Sequence, residues 1–201
     1  MKITGLEPKE KGKYKVYIDE EFHFALYYKD LQRYRLELGS EMSEDQYRDI
    51  YINTVLRRGK QKAIAILKYM DRTKHELITK LKQADYSDQV IEEVVEYVIK
   101  FHFIDDTRYA ENYIRSRKNK KSKKQILMEL SNKGLDKSIA NEVLMEEYDS
   151  EEVAIKKAID KKFKNMKDLT KEDKMKFASS LYRKGFQMDL IRKYVYEYED
   201  E

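Results

Sequence analysis

Apolar residues recur along this chain in two periods. In YKVYIDEEFHFALYY, starting at Tyr14, they alternate. Tyr14, Val16 and Ile18 fall on one side, and Phe22, Phe24 and Leu26 follow a break at Asp19-Glu20-Glu21. Period-two alternation around an acidic break predicts a β-hairpin, with Lys2 to Leu6 offering a third strand. A lone hairpin is marginal in water, so this small sheet is expected to pack on the helix that follows.

After the hairpin the period changes to that of a helix. Ser43 with Gln46 reads as a capping box opening a helix through Tyr47, Ile50, Tyr51 and Val55. Gly59 is expected to interrupt it, and AIAILKYM (Ala63 to Met70) resumes the apolar pattern.

From there the pattern repeats. TKHELITKLKQADYSDQVIEEVV from Thr73, SKKQILMELSNKGLDKSIANEVL from Ser122 and DKMKFASSLYRKGFQMDLIRKYV from Asp173 align without gaps. Leu77, Ile126 and Phe177 correspond, as do Leu81, Leu130 and Leu181, then Val94, Val143 and Tyr194. The period is about 50 residues, which indicates tandem structural units. Each stretch breaks once, at Asp85, Gly134 or Gly185. Glycine suits a left-handed helix C-cap, and aspartate tolerates that backbone better than most residues. Thr73 with Glu76 and Ser122 with Gln125 read as capping boxes, and Thr170 with Asp173 as a weaker one. A helix precedes each pair, at Ile64 to Met70, Arg108 to Arg117 and Glu151 to Phe163. The pattern predicts a mainly α chain: three tandem three-helix, helix-turn-helix-like repeats behind a small N-terminal β-hairpin and helix element. The boundaries expected are 1–60, 61–104, 105–149 and 150–201.

Composition narrows the class. Of 201 residues 40% are charged, 41% apolar and 12% aromatic, too apolar for a disordered chain and too polar for one large core. With 6 glycines and 1 proline, punctuation is sparse. No run approaches the roughly 18 apolar residues of a membrane span, and MKITGLEPKEKGKY lacks a signal peptide's apolar core. Zero cysteines exclude disulfides and thiolate metal sites. A cytoplasmic monomer is expected.

The net charge of +4 is small, so its distribution matters more. The run RSRKNKKSKK holds Arg115, Arg117, Lys118, Lys120, Lys121, Lys123 and Lys124. It spans a helix end, a loop and the next helix start. Like charges packed this densely raise the local potential and favour an anionic partner over a merely solvated loop. Arg57, Arg58, Lys60 and Lys62 form a weaker cluster, and Arg183, Lys184, Arg192 and Lys193 a third. The 17 tyrosines mostly occupy repeat or hairpin positions and are expected in the core.

The segment FIDDTRYAENYIRSR raises the question of metal chemistry, because adjacent aspartates hold metals in many enzymes. Only His102 is near, whereas Asp105 or Asp106 at a helix N-terminus can accept backbone N–H groups and oppose the dipole. Capping explains every residue there without a further ligand, so both aspartates are read as structural caps. His23, His75 and His102 are scattered, no G-x-S-x-G supports a nucleophile, and no phosphate-binding loop is present. A non-enzyme without metal or cofactor is expected.

Several of these segments together resemble the RecX recombination regulators: Phe103-Ile104-Asp105-Asp106 with Tyr109-Ala110 and Arg115, the turns Lys133-Gly134-Leu135 and Lys184-Gly185-Phe186, and the hairpin's YIDEEF. The resemblance covers essentially the whole chain, departing at Gln83-Ala84-Asp85, where repeat one lacks the lysine-glycine pair. It implies a modulator that binds the RecA–DNA filament along its groove, mainly inhibiting ATP turnover and strand exchange in recombination and DNA repair. The alternative is an autonomous, nonspecific DNA-binding helical-repeat protein. Glu92, Glu93 and Glu96 in repeat one, and Glu142, Glu146 and Glu147 in repeat two, oppose that alternative, because acids on a recognition helix repel phosphates.

Overall fold

The computed structural model describes residues 1–163 and 169–197 and divides into two compact units, Met1–Asp105 and Asp106–Glu201. The first unit opens with three antiparallel strands in sequence order, β1 (Ile3–Pro8), β2 (Lys13–Ile18) and β3 (Glu21–Tyr27). Asp19 and Glu20 both take positive φ, 48° and 73°. That two-residue turn matches the right-handed twist of a hairpin. Val16, Ile18, Phe24 and Leu26 are buried, as the alternation predicts.

Helix α1 (Tyr28–Tyr34) follows, and then α2 (Glu44–Ile50), a π-helical segment (Tyr51–Leu56) and α3 (Arg57–Tyr69) run on without a break. Ser43 caps α2 by accepting from the Gln46 amide at 3.2 Å. The Gln46 side chain donates instead to the Tyr34 carbonyl, at 2.8 Å, tying α2 to the end of α1. Helices α4 (Lys74–Lys82) and α5 (Asp88–Lys100) complete the unit. The expected interruption at Gly59 is absent. This glycine lies buried inside α3, where a Cβ would stand 2.8 Å from Val94 Cγ2 on α5. It serves close helix packing rather than a helix end.

Sheet and helices share one core. Ile3, Val16, Phe24 and Leu26 join Ile50, Val55, Leu77, Leu81, Val94 and Ile104 in a single buried cluster. Asp30, nearly enclosed, receives both Arg58 nitrogens at 2.5 and 3.0 Å. Burial alone would raise its pKa, but the hydrogen bonds from Arg58 and the Tyr27 amide hold it below the usual carboxylate range.

The second unit comprises α6 (Asp106–Arg117), α7 (Lys123–Asn132), α8 (Lys137–Glu147), α9 (Glu152–Lys162), α10 (Lys171–Arg183) and α11 (Met188–Val195). Its two repeats keep separate cores, one from Ala110 to Tyr148 and one from Ala154 to Val195.

All three repeats turn in the same way. Tyr86, Leu135 and Phe186 each donate backbone N–H to the carbonyl of Leu81, Leu130 or Leu181, at 3.2, 3.1 and 3.2 Å. Asp85, Gly134 and Gly185 precede them with φ of 62°, 69° and 84°. This is a Schellman cap in each repeat, and the matched leucines above it are fully buried. Thr73 and Glu76 form the full capping box, at 3.1 and 3.3 Å, and Thr170 accepts from the Asp173 amide at 3.1 Å. The tyrosines divide more than expected: Tyr51, Tyr148 and Tyr194 are buried, while Tyr69 and Tyr182 are exposed on helix surfaces. Among the described residues, no helix is long and apolar enough to cross a membrane.

Candidate interaction surface

The basic run occupies the end of α6, the α6–α7 loop and the start of α7, and much of it is tied down. Arg115 forks onto Glu147 of α8 through Nε at 2.8 Å and Nη2 at 2.5 Å. That guanidinium holds the Glu147 carboxyl below its ordinary range. Lys118 Nζ donates to the Glu147 carbonyl at 2.8 Å, at the end of α8. Lys121 bonds to Glu129 of α7. Burial would raise the Glu129 pKa, but the bonds from Lys121 and Tyr113 bring it below normal. Arg117 and Lys123 lie over the rings of Tyr113 and Tyr148, at 5.4 and 5.3 Å.

The loop itself is anchored from beneath. Tyr148, 1% exposed, donates its hydroxyl to the Lys121 carbonyl at 2.7 Å. Its pKa is pushed above the usual tyrosine range by burial, and further by the charge of Glu151.

At the N-terminus of α7 the two repeats of this unit meet. Ser122, fully buried, accepts from the Gln125 amide at 3.1 Å and donates to the Lys184 carbonyl at 2.6 Å. Glu151, 4% exposed, accepts the Lys123 amide on Oε1 at 2.6 Å and the Gln187 amide on Oε2 at 3.3 Å. One carboxylate therefore serves the N-termini of both α7 and α11. The Lys124 stem lies on Gly185, so closely that a Cβ there would stand 2.7 Å from Lys124 Cβ.

This junction brings the end of the basic run beside part of the third cluster, which lies 60 residues or so later in the chain. Among the described residues, the side-chain nitrogens of Lys120, Lys124, Arg183 and Lys184 have no carboxylate partner, and all four side chains are exposed. The remaining candidates sit elsewhere. Lys193 is paired with Glu152 of α9 at 2.9 Å, and Arg192 is exposed on α11. In the first unit, Arg58 belongs to Asp30 and Lys60 lies 4.7 Å over the Tyr97 ring, while Arg57 and Lys62 are exposed.

The paired aspartates stand where helix α6 begins: Asp105 directly precedes it and Asp106 lies in its first turn. Among the described residues, no group of three or more His, Asp or Glu side chains converges as a metal site would require. Sequence reasoning found Ser122 as a cap but missed Glu151, and it missed the part both play at this junction. Ser122 was visible as a cap, but its bond to Lys184 and both bonds of Glu151 are to backbone groups distant in the chain, which carry no sequence signal.

Known proteins align with this arrangement along nearly the whole chain. Residues 60–97 match the first three-helix domain of RecX, 105–144 the second and 150–195 the third. A regulatory protein RecX of Listeria monocytogenes serotype 4a is 31% identical over 199 residues, covering 96% of this chain and 74% of the relative. One of Clostridium acetobutylicum is 29% identical over 197 residues, covering 94% and 92%. A crystal structure of regulatory protein RecX superposes with a TM-score of 0.65 at 25% identity, covering 98% of each chain. The RecX of Lactobacillus salivarius superposes with 0.59 at 30% identity, covering 71% of this chain and 95% of that one.

Proposed function

This chain belongs to the RecX family, and on that premise we propose that it docks on the RecA–DNA filament and restrains it. The role is one of binding: the repeats lie along the filament groove, bridge neighbouring protomers and hinder the rearrangements of ATP turnover and strand exchange. A chain of small repeats is suited to an extended groove, because its surface grows with each unit added. The observation that carries the reading is the set of exposed cations at the junction of repeats two and three, Lys120, Lys124, Arg183 and Lys184, which have no carboxylate partner among the described residues. Cations held without carboxylate partners keep their field for an anionic partner.

The test is DNA-dependent RecA ATPase with the protein titrated in across a salt series. Turnover is expected to fall with added protein, and the effect to weaken as salt rises. The reversal K120E/K124E/R183E/K184E changes the local charge by about eight units, and apparent affinity should fall at least about tenfold. Lys118 and Lys121 are left intact because each holds the loop through a bond of its own. Unchanged turnover at saturating protein would sink the proposal. Tight binding to free duplex DNA with no effect on the filament would favour the autonomous DNA-binding reading, against which the acids exposed on α5 and α8 argue.

A further inference from the structure

The cations at the junction belong to two repeats, so something must hold them in one arrangement. Lys120 and Lys124 flank the start of α7, while Arg183 and Lys184 close α10. Between these segments the apolar cores do not merge. What joins them there is polar: Ser122 to the Lys184 carbonyl, and Glu151 to the amides of Lys123 and Gln187. Both of these side chains are buried, so each bond is formed away from competing water.

We propose that Glu151 is a positioning residue: its carboxylate, bonded at once to the N-termini of α7 and α11, sets the register in which the cations of repeats two and three present a single basic surface. The inference rests on the binding role proposed above. Glu151 does not touch the partner. It acts through the backbone of Lys123 and Gln187, and so on the placement of Lys124, the next residue, and of Lys184, three residues before Gln187 across the Gly185 turn.

Two features make this more than a general contribution to stability. A carboxylate with two oxygens can accept from two helices, whereas an amide offers one acceptor only. In Glu151→Gln, one of the two helix N-termini loses its partner while the volume stays the same. The charge change also runs against the expected effect. Removing a negative charge near a basic surface should strengthen anion binding if electrostatics alone mattered. If Glu151 positions the cations, Glu151→Gln must weaken it.

The experiment uses the full chain. The sequence holds no cysteine, so Met128→Cys on α7 and Met175→Cys on α10, at positions 58% and 56% exposed, can carry spin labels. In Glu151→Gln the distance distribution between them is expected to broaden while far-ultraviolet circular dichroism stays the same. Filament inhibition by the unlabelled variant should weaken about tenfold, the scale of one buried charged hydrogen bond. The slope of log affinity against log salt should also become shallower, because fewer cations engage together. A loss of folded protein alone would lower the active fraction without changing that slope.

Gly185→Ala opens the same junction with no change of charge, since its φ of +84° and the Lys124 contact leave no room for a Cβ. It is expected to broaden the distances and weaken inhibition in the same direction, and it decides the matter if Glu151→Gln does not fold. A sharp, unshifted distance in both variants overturns the positioning role whatever the filament assay reads. So does wild-type inhibition by Glu151→Gln when the four-charge reversal has abolished it, with the docking role left standing. Full inhibition by the four-charge reversal would instead overturn the docking surface itself.

Discussion

The two units join their parts by different means. In the first, the sheet and repeat one fuse through a continuous apolar core reaching from Ile3 to Ile104. In the second, repeats two and three keep their own cores, and at the α7–α11 junction they are stitched by a buried serine and a buried glutamate. An apolar fusion is non-directional and tolerates shifts in packing, whereas a polar stitch is satisfied in one register only. The first kind of join supplies bulk stability, and the second supplies a defined geometry at small apolar cost.

The sharpest way to break this contrast is to cut one leucine from each unit. Leu81→Ala and Leu181→Ala should each cost about 2–5 kcal/mol, as fully buried leucines do. Their reach should differ. Hydrogen exchange in Leu81→Ala should show loss of protection in β2 and β3 as well as α4, because they share one core. In Leu181→Ala the amides of α6 should keep their protection. Sheet amides indifferent to Leu81→Ala would mean that the first unit is not one core.

The polar element within the first unit offers a smaller test. Asp30→Ala leaves Arg58 without its partner and should cost about 2 kcal/mol, below the 3–5 of a fully buried pair because Arg58 keeps some water. The sign with pH follows from the depressed Asp30 pKa. Its contribution is fully present above the unfolded value of about 4 and is lost as pH falls through the lower folded value. Urea melts of Asp30→Asn should therefore show a flatter loss of stability with acid than wild type. An equally steep acid limb would show that the pair contributes nothing.

At the start of α6, Asp105→Ala should cost about 1 kcal/mol and Asp105→Asn much less, since asparagine caps as well as aspartate. If Asp106 is the cap, the contrast moves there. Chelator and added divalent ions should leave the melting temperature where it is, and a metal-dependent shift would overturn the capping role. The smallest effect belongs to Lys120→Glu, which should change stability by less than about 0.5 kcal/mol. A larger loss in thermal melts would mean that Lys120 is structural, like Lys118 and Lys121.

The repeats were legible because their signals are local. The Schellman turn needs a left-handed residue four positions after its buried leucine, and glycine or aspartate marks the place. Asp85 fills it at φ 62° with Lys15 3.7 Å away, so the missing lysine-glycine pair alters the chemistry of the turn but not its backbone. The stitch was not legible. Counted back from the buried Ile114 and Ile159, Asp106 and Glu151 hold the same place in successive repeats, yet only the paired aspartates draw notice in the sequence. Gly59 misled for a related reason: a glycine within a helical pattern marks either an end or a close neighbour, and the neighbour, Val94, lies far along the chain.

The shared core of the first unit also bears on the order in which the chain can fold as it is synthesised. The strands are complete once Tyr27 has emerged, but they have no finished surface to rest on until Val98 and Ile104 follow. Until then Phe24 and Leu26 await contacts that are distant in sequence, the kind that form slowly and leave apolar surface open in the interval. The later repeats carry no such delay, since each closes its core over its own short stretch. The vulnerable interval in this protein's biogenesis is therefore early, while the nascent chain ends between the hairpin and α5.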